Sequence, residues 1–158
     1  MSLASDMTAL SRVPLLQGFS EEALRLVAFS AAARPIAATE VLFVEGDPAT
    51  GAFVVASGRV RLKPMHGREI RAGAGALLTL GTLLADIPYP GTATVEEAGE
   101  VLAIGRDAFR RVLTEYPDLA RLLHARLAAA MAGLAREGSA IRAKLEAAGD
   151  LITRPGPA

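Results

Sequence analysis

The residues able to do chemistry are few, and most fall in one stretch. The chain has no cysteine and only two histidines, His66 and His124. Disulfides, thiolate zinc sites, cysteine-ligated iron–sulfur clusters and cysteine nucleophiles are thereby excluded. Two histidines this far apart supply no clustered metal set, and neither is expected to ligate haem. No serine sits in a nucleophile elbow with a base and an orienting acid. Gly73-Ala74-Gly75 opens like a dinucleotide fingerprint, but Leu78 stands where the third glycine belongs and no helix follows. What remains is neutral hydrogen bonding and stacking: the hydroxyls of Thr82, Thr92 and Thr94, the ring of Tyr89 between Pro88 and Pro90, and backbone amides near Gly81 and Gly91–Ala93. Asp86 carries the only charge across residues 72–95. This is the chemistry of a binding module, not of an enzyme. At strand period, Thr92 and Thr94 share one face and Ala93 and Val95 the other, so one pair alone can line a pocket.

The elements that must hold these residues can be read from pattern. At 158 residues the chain suits one domain with a real core. No uncharged apolar run reaches the roughly 18 residues that span a bilayer, and no leader pattern opens the chain, so a cytoplasmic protein without membrane contact is expected. Acidic and basic residues balance at 17 each, which leaves no positive footprint for phosphate backbones. Residues 10–33 read as helical: Ser20 is a plausible N-cap, Glu21 and Glu22 suit the positive helix end, and Leu24, Val27, Ala28 and Ala31 recur at helical spacing before Pro35. Strand patterns follow at 41–45, 52–57, 59–63, 92–96 and 100–104, with Ser57-Gly58 as a tight hairpin and Gly46-Asp47-Pro48 as a loop. This spacing predicts an all-β barrel or sandwich. The uncharged run 72–85 reads as a packed strand and turn. Beyond Gly105 the pattern is helical again, with Asp107 or Thr114 as caps and Pro117 opening the last helix, about 118–148. Leu127, Met131, Leu134, Gly138, Ile141 and Leu145 repeat at 4-3 spacing, a heptad seam that predicts a homodimer. Residues 151–158 are expected to be a disordered tail.

Three segments carry a family resemblance. Val41-Leu42-Phe43-Val44-Glu45-Gly46-Asp47-Pro48, then Val54-Val55-Ala56-Ser57-Gly58-Arg59-Val60-Arg61-Leu62, then Ala93-Thr94-Val95 with Val101-Leu102-Ala103-Ile104 and Asp107-Ala108-Phe109, resemble the cyclic-nucleotide-binding domain of Crp/Fnr-type bacterial regulators. The resemblance covers about 10–150 and implies a mainly β fold with flanking helices. That fold is a double-stranded β-helix (jelly-roll) barrel over about 36–104, with N-terminal helices and a long C-terminal helix within 106–148. In the family a Gly-Glu…Pro-Arg cassette holds the ribose and the cyclic phosphate. Counting back from Val95 places Gly81 and Thr82 at its Gly-Glu, and Pro90 and Gly91 at its Pro-Arg. Counting forward from Gly75 places Leu80 at the Glu and Tyr89 at the Arg. Neither count finds either charge.

The candidate ligand residues implied by the cassette are Gly81, Thr82, Leu83, Tyr89, Gly91, Thr92, Ala93 and Thr94. Losing a charge-assisted hydrogen bond forfeits about 1.5–3 kcal/mol, so a cyclic nucleotide is expected to bind weakly if at all. Some Crp/Fnr-type members that respond to other signals carry a cassette similar to Ile87-Pro88-Tyr89-Pro90. The resulting expectation is a non-enzymatic sensor domain that dimerises through residues 118–148 and does not itself bind nucleic acid. The rivals are an interaction module whose pocket is filled by Leu77, Leu80 and Leu83, a haem or gas sensor, and an atypical cyclic-nucleotide receptor.

Overall fold

The computed structural model describes residues 3–135, leaving the side chains of residues 127 and 130–135 outside that description. The chain opens with α1 (Leu3–Ser11), a single 3-10 turn (Pro14–Leu16) and α2 (Glu21–Ser30). The N-cap at Ser20 holds: its hydroxyl accepts from the Ala23 amide at 3.1 Å. The continuous helix expected to Ala33 does not. It ends at Ser30, and Ala32–Ile36 is a strand, β1, at the sheet edge, where Pro35 withholds no ladder donor that a second neighbour would need.

The sheet is antiparallel. After β2 (Val41–Phe43) come β3 (Gly51–Pro64), β4 (Ile70–Ala72), β5 (Leu77–Leu78), a short helix α3 (Leu80–Leu84) and β6 (Gly91–Gly105). The main path runs β1-β6-β3-β4, with β2 added to β6 and β5 to β3. The architecture is the expected one, mainly β with flanking helices in a jelly-roll arrangement. Strands β3 and β6 pair along their whole length, from Gly51 against Gly105 to Pro64 against Gly91. The hairpin expected at Ser57-Gly58 is therefore a bulge inside one strand. Gly58 takes φ +87, and Gly99 opposite lies so close to Ser57 that a Cβ there would strike the Ser57 carbonyl. Val60 lies five positions after Val55, an odd offset, yet both face the same interior, because the irregular pairing changes the pleat between them.

Strand alternation divides the interior in two. Ala52, Val54, Leu102 and Ile104 face the helices, where they meet Leu10, Val13, Val27, Phe109 and Leu123. Phe43, Val55, Val60, Ala93, Val95 and Val101 face the inside of the β layer. After β6, α4 (Arg106–Glu115) and α5 (Pro117–Ala135) close the helical side. Gly105, not Asp107, occupies the α4 N-cap position, while Pro117 opens α5 as its fixed φ favours. Of the heptad seam, the side chains of Leu127, Met131 and Leu134, and Gly138, Ile141 and Leu145 altogether, lie outside the described residues.

Candidate functional site

The uncharged run holds one more element than a strand and turn. Thr79 takes a left-handed backbone, φ +62, and starts α3; a β-branched residue there marks local strain. The Thr82 hydroxyl donates to the Thr79 carbonyl at 2.6 Å and lies 2.7 Å from the Thr79 hydroxyl. Both side chains are buried, so this hydroxyl pair serves the first turn of α3.

The far end of α3 is held from the helical layer. Arg106 Nε donates to the Thr82 carbonyl at 3.0 Å, and its Nη2 to the Ala49 carbonyl at 2.5 Å. One turn on, Arg110 Nη2 reaches the Leu84 carbonyl at 3.4 Å. Two guanidiniums of α4 thus cap carbonyls that a five-residue helix leaves without partners. Asp86 stands 3.6 Å from Arg106, but its side chain is 91% exposed. Leu83 is buried in the helix-side core, with Leu77 and Leu80 packed against it. The rival reading in which these leucines fill the pocket is thereby disfavoured: they pack on the helical side.

Aromatic rings fill the inside instead. Tyr89 stacks on Phe43 with centroids 4.1 Å apart and planes 12° from parallel, and Phe43 in turn faces Phe53 at 5.9 Å and 12°. The backbone of Tyr89 is tied to the loop after β2: its amide donates to Asp47 at 3.0 Å, and its carbonyl accepts from Gly46 at 2.9 Å. Burial pushes the Tyr89 phenol above its ordinary range; the positive charge of Arg106 opposes this and Asp47 adds to it.

Of the two candidate faces on β6, Ala93 and Val95 look inward. Thr92 and Thr94 lie on the other face, and the Thr92 hydroxyl accepts from the Glu45 amide at 3.1 Å. Those two threonines are corrected as pocket residues: pleat alternation turns them away. Gly81 is buried within α3. Gly91 has no room for a side chain, since a Cβ there would lie 2.5 Å from the Lys63 carbonyl and 2.8 Å from Pro64 Cα. Of the two positions offered for the absent arginine, then, only Tyr89 carries a side chain into the interior. His66 and His124 are exposed, and among the described residues no group of three or more His, Asp or Glu gathers into a metal cluster. Sequence reasoning missed Arg106 and Phe43. The signal for Phe43 was present, an inward position one turn before the Gly46 loop; Arg106 gave none, because its acceptors are backbone carbonyls.

The fold defines a class: a jelly-roll module covered by a helical layer. The model of the cyclic nucleotide-binding domain matches residues 33–116, more than half of the sequence. The chain belongs to that family, a regulatory type of domain. A cyclic nucleotide-binding-like protein from Brucella abortus bv. 1 str. 9-941 is 35% identical, with 69% of this chain and 97% of that one covered and a TM-score of 0.58. The N-terminal domain of a transcriptional regulator from Streptomyces coelicolor A3(2) is 27% identical over 83% and 94%, with a TM-score of 0.70. The catabolite activator protein of Thermus thermophilus is 28% identical at a TM-score of 0.66; 78% of this chain is covered but only 61% of that protein. No curated protein sequence matches significantly. Among the described residues no helix is long and apolar enough to cross a membrane.

Proposed function

We propose that this chain is a sensor module of the cyclic nucleotide-binding type that does not hold cAMP or cGMP tightly, and that it signals through α4 and the long C-terminal helix of a homodimer. The observation that carries the reading is Tyr89. Its ring lies on Phe43, at the position that one of the two counts gives to the family's phosphate-binding arginine. Of the described residues only Asp6 and Arg106 are both charged and buried, and Arg106 is directed to the carbonyls of Thr82 and Ala49. An anion entering the barrel would lose its hydration and would have to compete with those carbonyls for the one buried guanidinium. Absence of the Arg and Glu partners, at about 1.5–3 kcal/mol each, lowers affinity by roughly two to four decades.

The output route follows from α3. Its carbonyls are gripped by Arg106 and Arg110 of α4, so a displacement of the cassette is delivered to α4 and from there to α5. The heptad seam from Leu127 to Leu145 is the surface through which two copies would register it. Calorimetric titration of the full chain with cAMP and with cGMP tests the reading: no binding tighter than about 10 μM is expected, and a sub-micromolar constant for either would overturn it.

A further inference from the structure

We infer that the inner face of the barrel is a binding site for a flat, uncharged ring compound, and that Tyr89 is the gate that yields its place on Phe43 when such a ring enters. This rests on the module reading above and adds the ligand class. Three near-parallel rings run from Phe53 through Phe43 to Tyr89. Phe43 is buried, whereas Tyr89 is only partly so. Phe53 at the other end is partly buried too but lies within β3, so Tyr89, on the loop before β6, is the end of the stack able to leave, and its departure uncovers one face of Phe43.

The loop is built for a ring to leave without unravelling. Pro88 and Pro90 flank Tyr89, and its own amide and carbonyl are both bonded to the Gly46-Asp47 turn. A second tie, from the Met65 amide to the Pro90 carbonyl at 3.1 Å, fixes the following residue to the end of β3. With the backbone held on both sides, the ring can rotate about χ1 while the loop keeps its hydrogen bonds.

The surroundings select the ligand. The cluster that holds the three rings is otherwise aliphatic, with Val55, Val60, Ala93 and Val95 among its buried members, while the charges of Arg106 and Asp47 reach the Tyr89 phenol. The nearby hydroxyls of Thr92 and Thr94 sit on the opposite face of β6, and the hydroxyl of Thr82 is engaged with Thr79. A charged ligand would be desolvated here, and the one buried cation whose field reaches Tyr89, Arg106, is already engaged by the Thr82 and Ala49 carbonyls. A neutral ring exchanges one offset stack for another and keeps the aromatic contact with Phe43.

The chain has two tyrosines and no tryptophan, which makes Tyr89 directly observable. In full-length protein labelled with 3-fluorotyrosine, the Tyr116→Phe variant assigns the two fluorine signals. Titration with indole should move the Tyr89 signal saturably at one indole per chain and leave Tyr116 in place. Tyr89→Ala, with the gate gone, should bind indole at least tenfold more tightly than the parent. Adding Phe43→Leu, which keeps an apolar side chain but no ring, should reverse that gain, with circular dichroism verifying the fold. Indole-3-acetate, of similar shape but anionic, should bind Tyr89→Ala at least tenfold more weakly than indole does. A stationary Tyr89 signal, or equal indole affinity in parent and Tyr89→Ala, overturns the gate; equal or tighter indole-3-acetate binding overturns the ligand class. Failure here with a null cAMP titration removes this inference alone, whereas tight cAMP binding removes the reading beneath it.

Discussion

Arg106 offers the most demanding test of how the site is held. It is the one buried guanidinium among the described residues, and it joins three segments: α3 through the Thr82 carbonyl, the loop before β3 through Ala49, and α4 through its own backbone. Arg106→Met keeps an unbranched chain of similar reach and removes both donors. A hydrogen bond to a charged group contributes about 1.5–3 kcal/mol, so the two are together worth about 3–6 kcal/mol before relaxation. Two effects reduce that figure. The guanidinium no longer has to be desolvated, and its side chain is 11% exposed, so water can reach the orphaned carbonyls. A net loss of about 3 kcal/mol is expected, which for a chain of this size lowers Tm by roughly 6–12 °C. Arg106→Lys should recover less than half of it, because one ammonium cannot reproduce a planar fork aimed at two carbonyls. Asp86→Asn should change stability by less than about 0.5 kcal/mol, since an exposed partner is screened by solvent. Calorimetric melts of the three variants decide the matter. A Tm for Arg106→Met within about 2 °C of the parent, or an equal effect from Asp86→Asn, refutes the clip.

Four further outcomes are expected. Gly91→Ala should lose about 2 kcal/mol in urea unfolding, because its Cβ meets backbone on Lys63 and Pro64 that cannot rotate aside. Leu80→Glu with Tyr89→Arg should bring in measurable cAMP binding by calorimetry, whereas Thr82→Glu with Gly91→Arg should yield poorly folded protein and no binding. Replacing Leu134 and Ile141 with glutamate should leave a folded monomer by light scattering where the parent is a dimer; an unfolded variant of an already monomeric parent would assign that stripe to the chain's own core. The raised Tyr89 pKa means the folded state keeps this proton longer than the unfolded chain does. Its contribution is therefore complete below pH 10 and is lost as pH rises through the folded value, and Tyr89→Phe should flatten the alkaline fall in Tm.

What could be read from the residues alone was whatever depends on near neighbours. The Ser20 cap, the acidic first turn of α2 and the Pro117 start are set within four residues, and each appears where the pattern placed it. The strand texture and the order of elements were legible for the same reason. Ser57-Gly58 was misread because a glycine at positive φ serves equally in a hairpin and in a bulge. Only the strand opposite, 40 residues on, decides between them. Helix α3 was hidden because its five residues are too few to show a helical period and Gly81 and Thr82 interrupt its leucines; its ends are secured by Thr79 and by arginines from α4. Which threonines face the interior was undetermined until the pleat of β6 was fixed by Phe43 against Ala93. The absent cassette charges were visible from the start, but not that Tyr89 would fill the space beside them.

The pairing of β3 with β6 also bears on how the chain reaches this structure. At the Pro64–Gly91 end the paired residues are 27 apart in sequence, and at the Gly51–Gly105 end they are 54 apart. Doubling the loop raises its closure entropy by only about 0.6 kcal/mol, a slight preference for beginning at the near end. Apolar density pulls the other way: Ala52, Val54, Val55, Val101, Leu102 and Ile104 are all nearly inaccessible to solvent and serve both interiors at once. Contact formation there gathers the helices and the β layer in a single event. The distant end is accordingly the place where folding should commit, with the Gly58–Gly99 irregularity aligned afterwards as the ladder extends toward Pro64. Conservative truncations such as Val54→Ala should then slow folding, while Val60→Ala should chiefly hasten unfolding.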